Sequence, residues 1–246
     1  MASPRTAAAK KIQKIFRTKR VFSNTIPGTL IRVSRPKITA QIVSFKTTPN
    51  FGKIFEDTPP SRKFNSITGY TKAFKKASLR WTPKSGWIGN FSNVAKIVAK
   101  RGKQTILVSA DGTVDVLGTG NYESALLALV SAGWAPKSLL RAAPTFKKID
   151  GQFNLNKDLD LPALREELKH LPPSFGPEAP PFNPSVFPAL VLRLKKLGWT
   201  YQFFKNGTVL FSGVKKPTDI DLPVELFKKF FTDFEVSVPA VFMGTI

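Results

Sequence analysis

Two stretches of this chain repeat one pattern at a nearly fixed interval, and that repeat limits the possible fold more than any other feature. The first runs Phe91-Ser-Asn-Val-Ala-Lys-Ile-Val, a basic turn, Gln104-Thr-Ile-Leu-Val-Ser, an Asp111-Gly112 turn and Thr113-Val-Asp-Val-Leu-Gly118. The second runs Phe187-Pro-Ala-Leu-Val-Leu-Arg-Leu, a basic turn, Trp199-Thr-Tyr-Gln-Phe-Phe204, an Asn206-Gly207 turn and Thr208-Val-Leu-Phe-Ser-Gly213. Phe91 and Phe187 stand 96 positions apart, and Gly112 and Gly207 stand 95 apart. Asp-Gly and Asn-Gly between alternating apolar runs signal hairpins, because these residues tolerate the positive φ that a tight turn demands. A helical stretch closes each copy, Tyr122–Ala132 and Val224–Phe231, so each reads strand, strand, hairpin, strand, helix. Two chance hairpins would not also share outer strands and closing helices at one offset. The chain is an internal duplication.

An upstream strand completes each copy, Ile38–Phe45 in the first and Phe146–Leu155 in the second. The second copy adds a helix over Leu161–Leu171, with Leu161, Leu164 and Leu168 at helical spacing. Residues 49–90 form a long basic connection, and 172–184 form a proline-rich loop that regular helix cannot accommodate. The expected organisation is a basic N-terminal arm over 1–37, a first repeat over 38–140, a second repeat over 141–235 and a C-terminal tail over 236–246.

Charge points to the class of partner. Thirty-eight Lys and Arg against sixteen Asp and Glu give a net charge of +22, and the first acidic residue is Glu56. Such an excess favours a polyanion: nucleic acid first, an anionic membrane surface second. Within the arm, Ala7–Arg20 has helical spacing, with Ile12, Ile15 and Phe16 on one face among Lys10, Lys11, Lys14, Arg17, Lys19 and Arg20. Ile12-Gln13 followed by Arg17 also matches half of an IQ-type calmodulin-binding motif, which any basic amphipathic helix can produce. The chain has no cysteine, so disulfides, thiolate metal sites and cysteine nucleophiles are excluded. His170 is the sole histidine, late in a helix, and no glycine-rich phosphate loop is present. Neither a cofactor nor an enzyme is expected. No apolar run reaches the roughly 18–20 residues of a membrane helix, so membrane insertion is not expected either.

Phe187-Pro188-Ala189-Leu190, Arg193, Phe204, Gly207-Thr-Val-Leu and Ser212-Gly213 resemble, without gaps, the second-repeat pattern of the TATA-box-binding-protein family. The resemblance implies an α+β fold, a two-repeat saddle in which a curved antiparallel sheet carries helices on its convex face. Its concave face would sit on the minor groove of duplex DNA, with two phenylalanines per repeat wedged between base steps. Carried over by position, the wedges are Phe187 and Phe204 in the second repeat, and Phe91 and Val108 in the first. Gln41 and Lys148 take the places of the family's central asparagines, and Arg193 and Ser212 join the same face. Strand alternation supports this side independently: Thr200, Gln202 and Phe204 share one face, and Trp199, Tyr201 and Phe203 share the other.

Some positions depart from the family. Asp115, Leu117 and Asp150 fall on the supposed DNA side, and Phe182-Asn-Pro-Ser-Val186 replaces an acidic patch that contacts transcription factor IIB in the family. From pattern alone Phe91, Phe187 and Phe204 suit a core equally well, and Arg193 and Lys148 suit a solvated surface. Two functions follow. The first is a DNA-binding transcription initiation factor that meets the transcription machinery in the nucleus or in a viral factory of the host cell. The lack of cysteine and the eroded first repeat suit a large DNA virus. The alternative is a scaffold that reuses the fold among capsid proteins in a virion.

Deleting residues 1–20 removes seven Lys and Arg and no acid. If all seven neutralise phosphates, the slope of log affinity against log salt falls by about 6. Fluorescence anisotropy across a salt series measures that slope, and an unchanged value would assign the arm to a protein partner.

Overall fold

A computed structural model describes residues 24–46, 64–70, 76–82, 84, 86–89, 96–118, 122–133, 135–179, 181–234 and 236–243. The chain divides into two compact units. One comprises Ala40–Lys148, and the other joins residues up to Thr39 with Ile149–Ile246.

In the first unit the strands are β1 (Lys37–Lys46, which begins in the other unit), β2 (Ser66–Tyr70), β3 (Lys76–Thr82), β4 (Gly86–Ile88), β5 (Lys96–Arg101), β6 (Gln104–Ser109) and β7 (Thr113–Gly118). They pair antiparallel in the order β4-β3-β2-β5-β6-β7-β1. Helix α1 (Tyr122–Ser131) covers one face. Alternation decides which side chains it meets. Val43, Phe45, Ile97, Ala99, Ile106, Val108, Val114 and Val116 are buried with Ala125, Leu126, Ala128 and Leu129 of the helix. The two helix alanines allow a close approach of backbone to sheet. Tyr122 closes one end, 5.7 Å from Phe45 and edge-on to Phe146 at 6.0 Å, between ring centroids.

The second unit orders β8 (Thr145–Asn154), β12 (Thr208–Val214), β11 (Trp199–Phe204), β10 (Ala189–Leu194) and β9 (Pro177–Glu178), again antiparallel. Its helices are α2 (Leu161–Glu167), α3 (Leu222–Thr232) and the single turn α4 (Val238–Val241). Here the core is aromatic. Phe153, Tyr201, Phe203, Phe211, Phe227 and Phe230 are all buried. Phe227 of α3 lies 5.2 Å from Phe153 and 5.9 Å from Phe203. The buried Tyr201 hydroxyl donates to the Pro223 carbonyl at 2.8 Å, and burial pushes its pKa well up.

Three expectations change. Residues 24–36, read as part of an arm, are folded onto the second unit. Ile26, Ile31 and Val33 are buried, Ser34 N–H donates to the Asn154 carbonyl at 2.8 Å, and Arg32 N–H donates to Asn156 Oδ1 at 2.6 Å. The 49–90 connection contains β2, β3 and β4, which extend the first sheet beyond β5. The helix expected over Leu161–Leu171 is α-helical only to Glu167 and tightens to a 3-10 turn over Leu168–His170. Asp160 caps its start by accepting from Ala163 N–H at 3.0 Å, and Pro172 holds Leu171 in extended backbone at its end.

The duplication is visible in the backbone. Gly112 N–H donates to Ser109 and Gly207 N–H donates to Phe204, each at 3.0 Å. Gly118 at the end of β7 and Gly213 one residue before the end of β12 have φ of +116° and +102°. At Gly213 a Cβ would lie 2.1 Å from the Gly198 carbonyl oxygen, a backbone atom unable to yield cheaply. Gly213→Ala is therefore expected to cost about 2–4 kcal/mol in urea denaturation. Gly198→Ala, with nothing within 4 Å of its added carbon, should cost only about 1 kcal/mol for its positive φ.

Candidate nucleic-acid interface

In each unit the helices cover one sheet face, so the other face carries the side chains of opposite parity. In the second unit these fall into cross-strand rows. One row runs Arg193, Thr200, Ser212 and Asp150 across β10, β11, β12 and β8, and the next runs Val191, Gln202, Leu210 and Gln152. None of the eight is buried, whereas their neighbours Leu192, Tyr201, Phe211 and Gly151 are. Arg193 is exposed and stands next to Glu178, with which it pairs on β9, and Ser212 is half-buried within the row.

Phe204 ends β11 on this open side, half-buried, and Phe187 lies beside it with 42% of its surface exposed. Their rings meet edge to face, 6.5 Å between centroids at 63°. The loop before β10 sets the position of Phe187. The Asn183 carbonyl accepts from Val186 and Phe187 N–H at 3.0 Å each, the Asn183 side chain accepts from Ser185 N–H at 3.1 Å, and Pro188 disfavours helical backbone at Phe187. Val186, 81% exposed, adds a second apolar tip. Cations stand at the strand ends: Lys195 and Lys196 after β10, Lys205 after β11, and Lys215 and Lys216 after β12.

The first unit presents a different face. Its rows are Lys100, Thr105, Leu117 and Ile42, then Val98, Leu107, Asp115 and Ser44. Lys147 reaches both oxygens of Asp115, at 2.7 and 2.8 Å, so this carboxylate is neutralised locally. Lys100, which sequence reasoning passed over, is the counterpart of Arg193.

Two expected site residues are corrected here. Val108 is fully buried against Ile97 and α1, so it is a core residue and no wedge. The equivalent turn hydrogen bonds make Ser109 the counterpart of Phe204, because the length difference between the repeats sits in the β5–β6 turn, two residues shorter than that between β10 and β11. Gln41 shares the parity of buried Val43 and Phe45, so alternation puts Ala40 and Ile42, not Gln41, on the open side. Lys148 is half-buried beside fully buried Ile149. Phe91, Lys10, Lys11, Lys14, Arg17, Lys19 and Arg20 lie outside the described residues.

Residues 145–234, the strands that carry the open rows and the phenylalanine pair, match the family model of transcription factor TFIID, or TATA-binding protein. A TATA-box-binding protein of Pyrobaculum calidifontis is 34% identical over 93 residues, which is 38% of this chain and 42% of that protein. The second repeat is thus similar in sequence to the TATA-binding proteins. The chain spans less than half the length of this curated TATA-binding protein. The fold reaches further than the sequence match. The TATA-binding protein of Methanococcus jannaschii superposes with a TM-score of 0.56 at 16% identity, over 81% of this chain and 99% of its own. The family-model match falls on the second repeat.

Val108→Ala is expected to destabilise the protein by about 2 kcal/mol through the cavity it leaves. Duplex affinity under native conditions should stay at the parent value. Thermal denaturation beside an anisotropy titration separates the two effects.

Proposed function

We propose that this protein binds duplex DNA in transcription initiation, through the open sheet face of its second repeat. The observation that carries this reading is the edge-to-face pair of exposed Phe187 and half-buried Phe204 on the side opposite buried Tyr201, Phe203 and Phe211. Exposed aromatic pairs are costly to hydrate, and here they stand where an apolar wedge can enter a base step. Unstacking that step costs a few kcal/mol, and the larger contact made by bent DNA offsets it. Arg193 supplies a phosphate contact from the same face, and Ser212 supplies a hydroxyl. Lys148 and the basic residues of the arm add phosphate attraction that carries no sequence information.

The description of the matching family model supports transcription as the setting, and on this reading the transcription machinery is the class of partner. On this reading the protein acts where duplex DNA is transcribed, which in a eukaryotic cell is the nucleus. The scaffold alternative, with capsid partners in a virion, draws no support from the matches.

Phe187→Ala and Phe204→Ala should each weaken duplex binding by about tenfold or more and reduce the bend, in line with 1–3 kcal/mol per stacked base. Anisotropy gives the affinity, end-to-end fluorescence transfer gives the bend, and circular dichroism checks folding. Folded variants that bind and bend DNA like the parent would remove this face from consideration.

A further inference from the structure

Between Asp57 and Asp111 the chain carries eleven Lys and Arg and no acidic residue, and this stretch supplies β2 to β6 of the first sheet. β2 is added beyond β5 in regular register, with Thr68 opposite Val98 and Tyr70 opposite Lys96. Ile67, Ile97 and Ala99 belong to the buried core, so alternation turns Thr68, Tyr70, Lys96, Val98 and Lys100 to the open side. Lys100 is exposed and the other four are half-buried. β6 continues the same side with Thr105 opposite Lys100, Leu107 opposite Val98 and Ser109 opposite Lys96. The Lys100 ammonium donates to the Thr105 hydroxyl at 2.8 Å, which holds it on this face and leaves two further donors. Across β2, Arg80 and Lys76 of β3 are in register with Thr68 and Tyr70.

This margin is made of hydroxyls and ammonium ions around an apolar centre of Val98 and Leu107. Every polar group in it can donate a hydrogen bond, and none is a carboxylate. The complementary partner is a phosphodiester oxygen, which is anionic and only accepts, and the apolar centre suits the sugars between phosphates. No ring of β6 can enter a base step, because Ser109 stands where the second repeat has Phe204. The second unit differs at this margin. Beyond β10 lies the two-residue β9, which sets Glu178 opposite Arg193, and Lys195 pairs with that carboxylate at 3.2 Å.

We propose that the open side of β2 and β5 holds the sugar-phosphate backbone of duplex DNA. Tyr70 and Thr68 donate hydroxyl hydrogen bonds to phosphate oxygens, and Lys96 and Lys100 neutralise their charge. This contact rests on the duplex binding proposed for the second repeat and adds to it a part for the first.

The test uses the full chain and a duplex that the parent bends. The double variant Lys96→Gln, Lys100→Gln should lower the slope of log affinity against log salt by about 2, at roughly 0.9 per phosphate contact, and should keep the bend. Tyr70→Phe keeps the ring and loses only the hydroxyl. It should weaken binding about tenfold at fixed salt, the usual loss for a hydrogen bond to a charged group, with an unchanged circular dichroism spectrum. Phosphate-ethylation interference gives a readout that a folding defect would not. Some phosphates whose ethylation hinders the parent should become indifferent in the double variant, while the rest still hinder it.

A folded double variant with the parent's slope and interference pattern, or Tyr70→Phe with the parent's affinity, would overturn this contact. The proposed function would still stand if Phe204→Ala loses affinity and bend in the same assays. A parent that binds no duplex would overturn both.

Discussion

Phe227 is the residue around which the second unit is built. It is fully buried on α3, with centroid separations of 5.2 Å to Phe153 and to Phe231 and 5.9 Å to Phe203 and to Phe230. A helix that buries so much aromatic surface on one side of a sheet commits every strand beneath it to a register. A slip of one residue in β11 would bring Phe204 under the helix and put Tyr201 and Phe203 into water. The exposure of Phe204 is thus a consequence of the burial of Phe203. The face that meets a ligand and the face that holds the protein together are fixed by the same alternation.

The two units use that logic with different materials. In the first, small and aliphatic side chains on α1 meet a sheet of valine and isoleucine, and the open side pairs Lys147 with Asp115 and offers Leu107 and Leu117. In the second, phenylalanine fills the core and the open side offers aromatic rings, amides and a guanidinium. A sheet can lose ligand-facing chemistry in one repeat without losing stability, because the residues that do the two jobs never share a parity. The relationship to the TATA-binding proteins is correspondingly clear over residues 145–234, while the structural likeness covers most of the chain.

Much of this was legible in the sequence wherever local chemistry is decisive. The Asp-Gly and Asn-Gly turns, the closing helices and the open side of β11 follow from turn preference and period-two alternation. What escaped has physical reasons. β2 is five residues long with Ile67 as its one aliphatic residue, while β3 does alternate Ala77, Leu79 and Trp81 with polar residues, a strand signal overlooked inside a long basic connection. Val108 was misplaced because letters alone do not say where a length difference between repeats resides. The hydrogen bond from Gly112 to Ser109 does. Gln41 was misplaced by one position, which in a strand is the whole difference between core and surface. The burial of Ile26, Ile31 and Val33 left little trace, since a short segment docked by side chains has no period of its own.

The two-residue difference between the β5–β6 and β10–β11 turns explains how such repeats drift apart and still fold. The pairs that flank the turn are equivalent in the two repeats, Lys100 with Thr105 and Arg193 with Thr200, so the two extra residues are absorbed inside the turn and no strand slides. Such a turn can change length while the helix side and the open side of its strands stay apart.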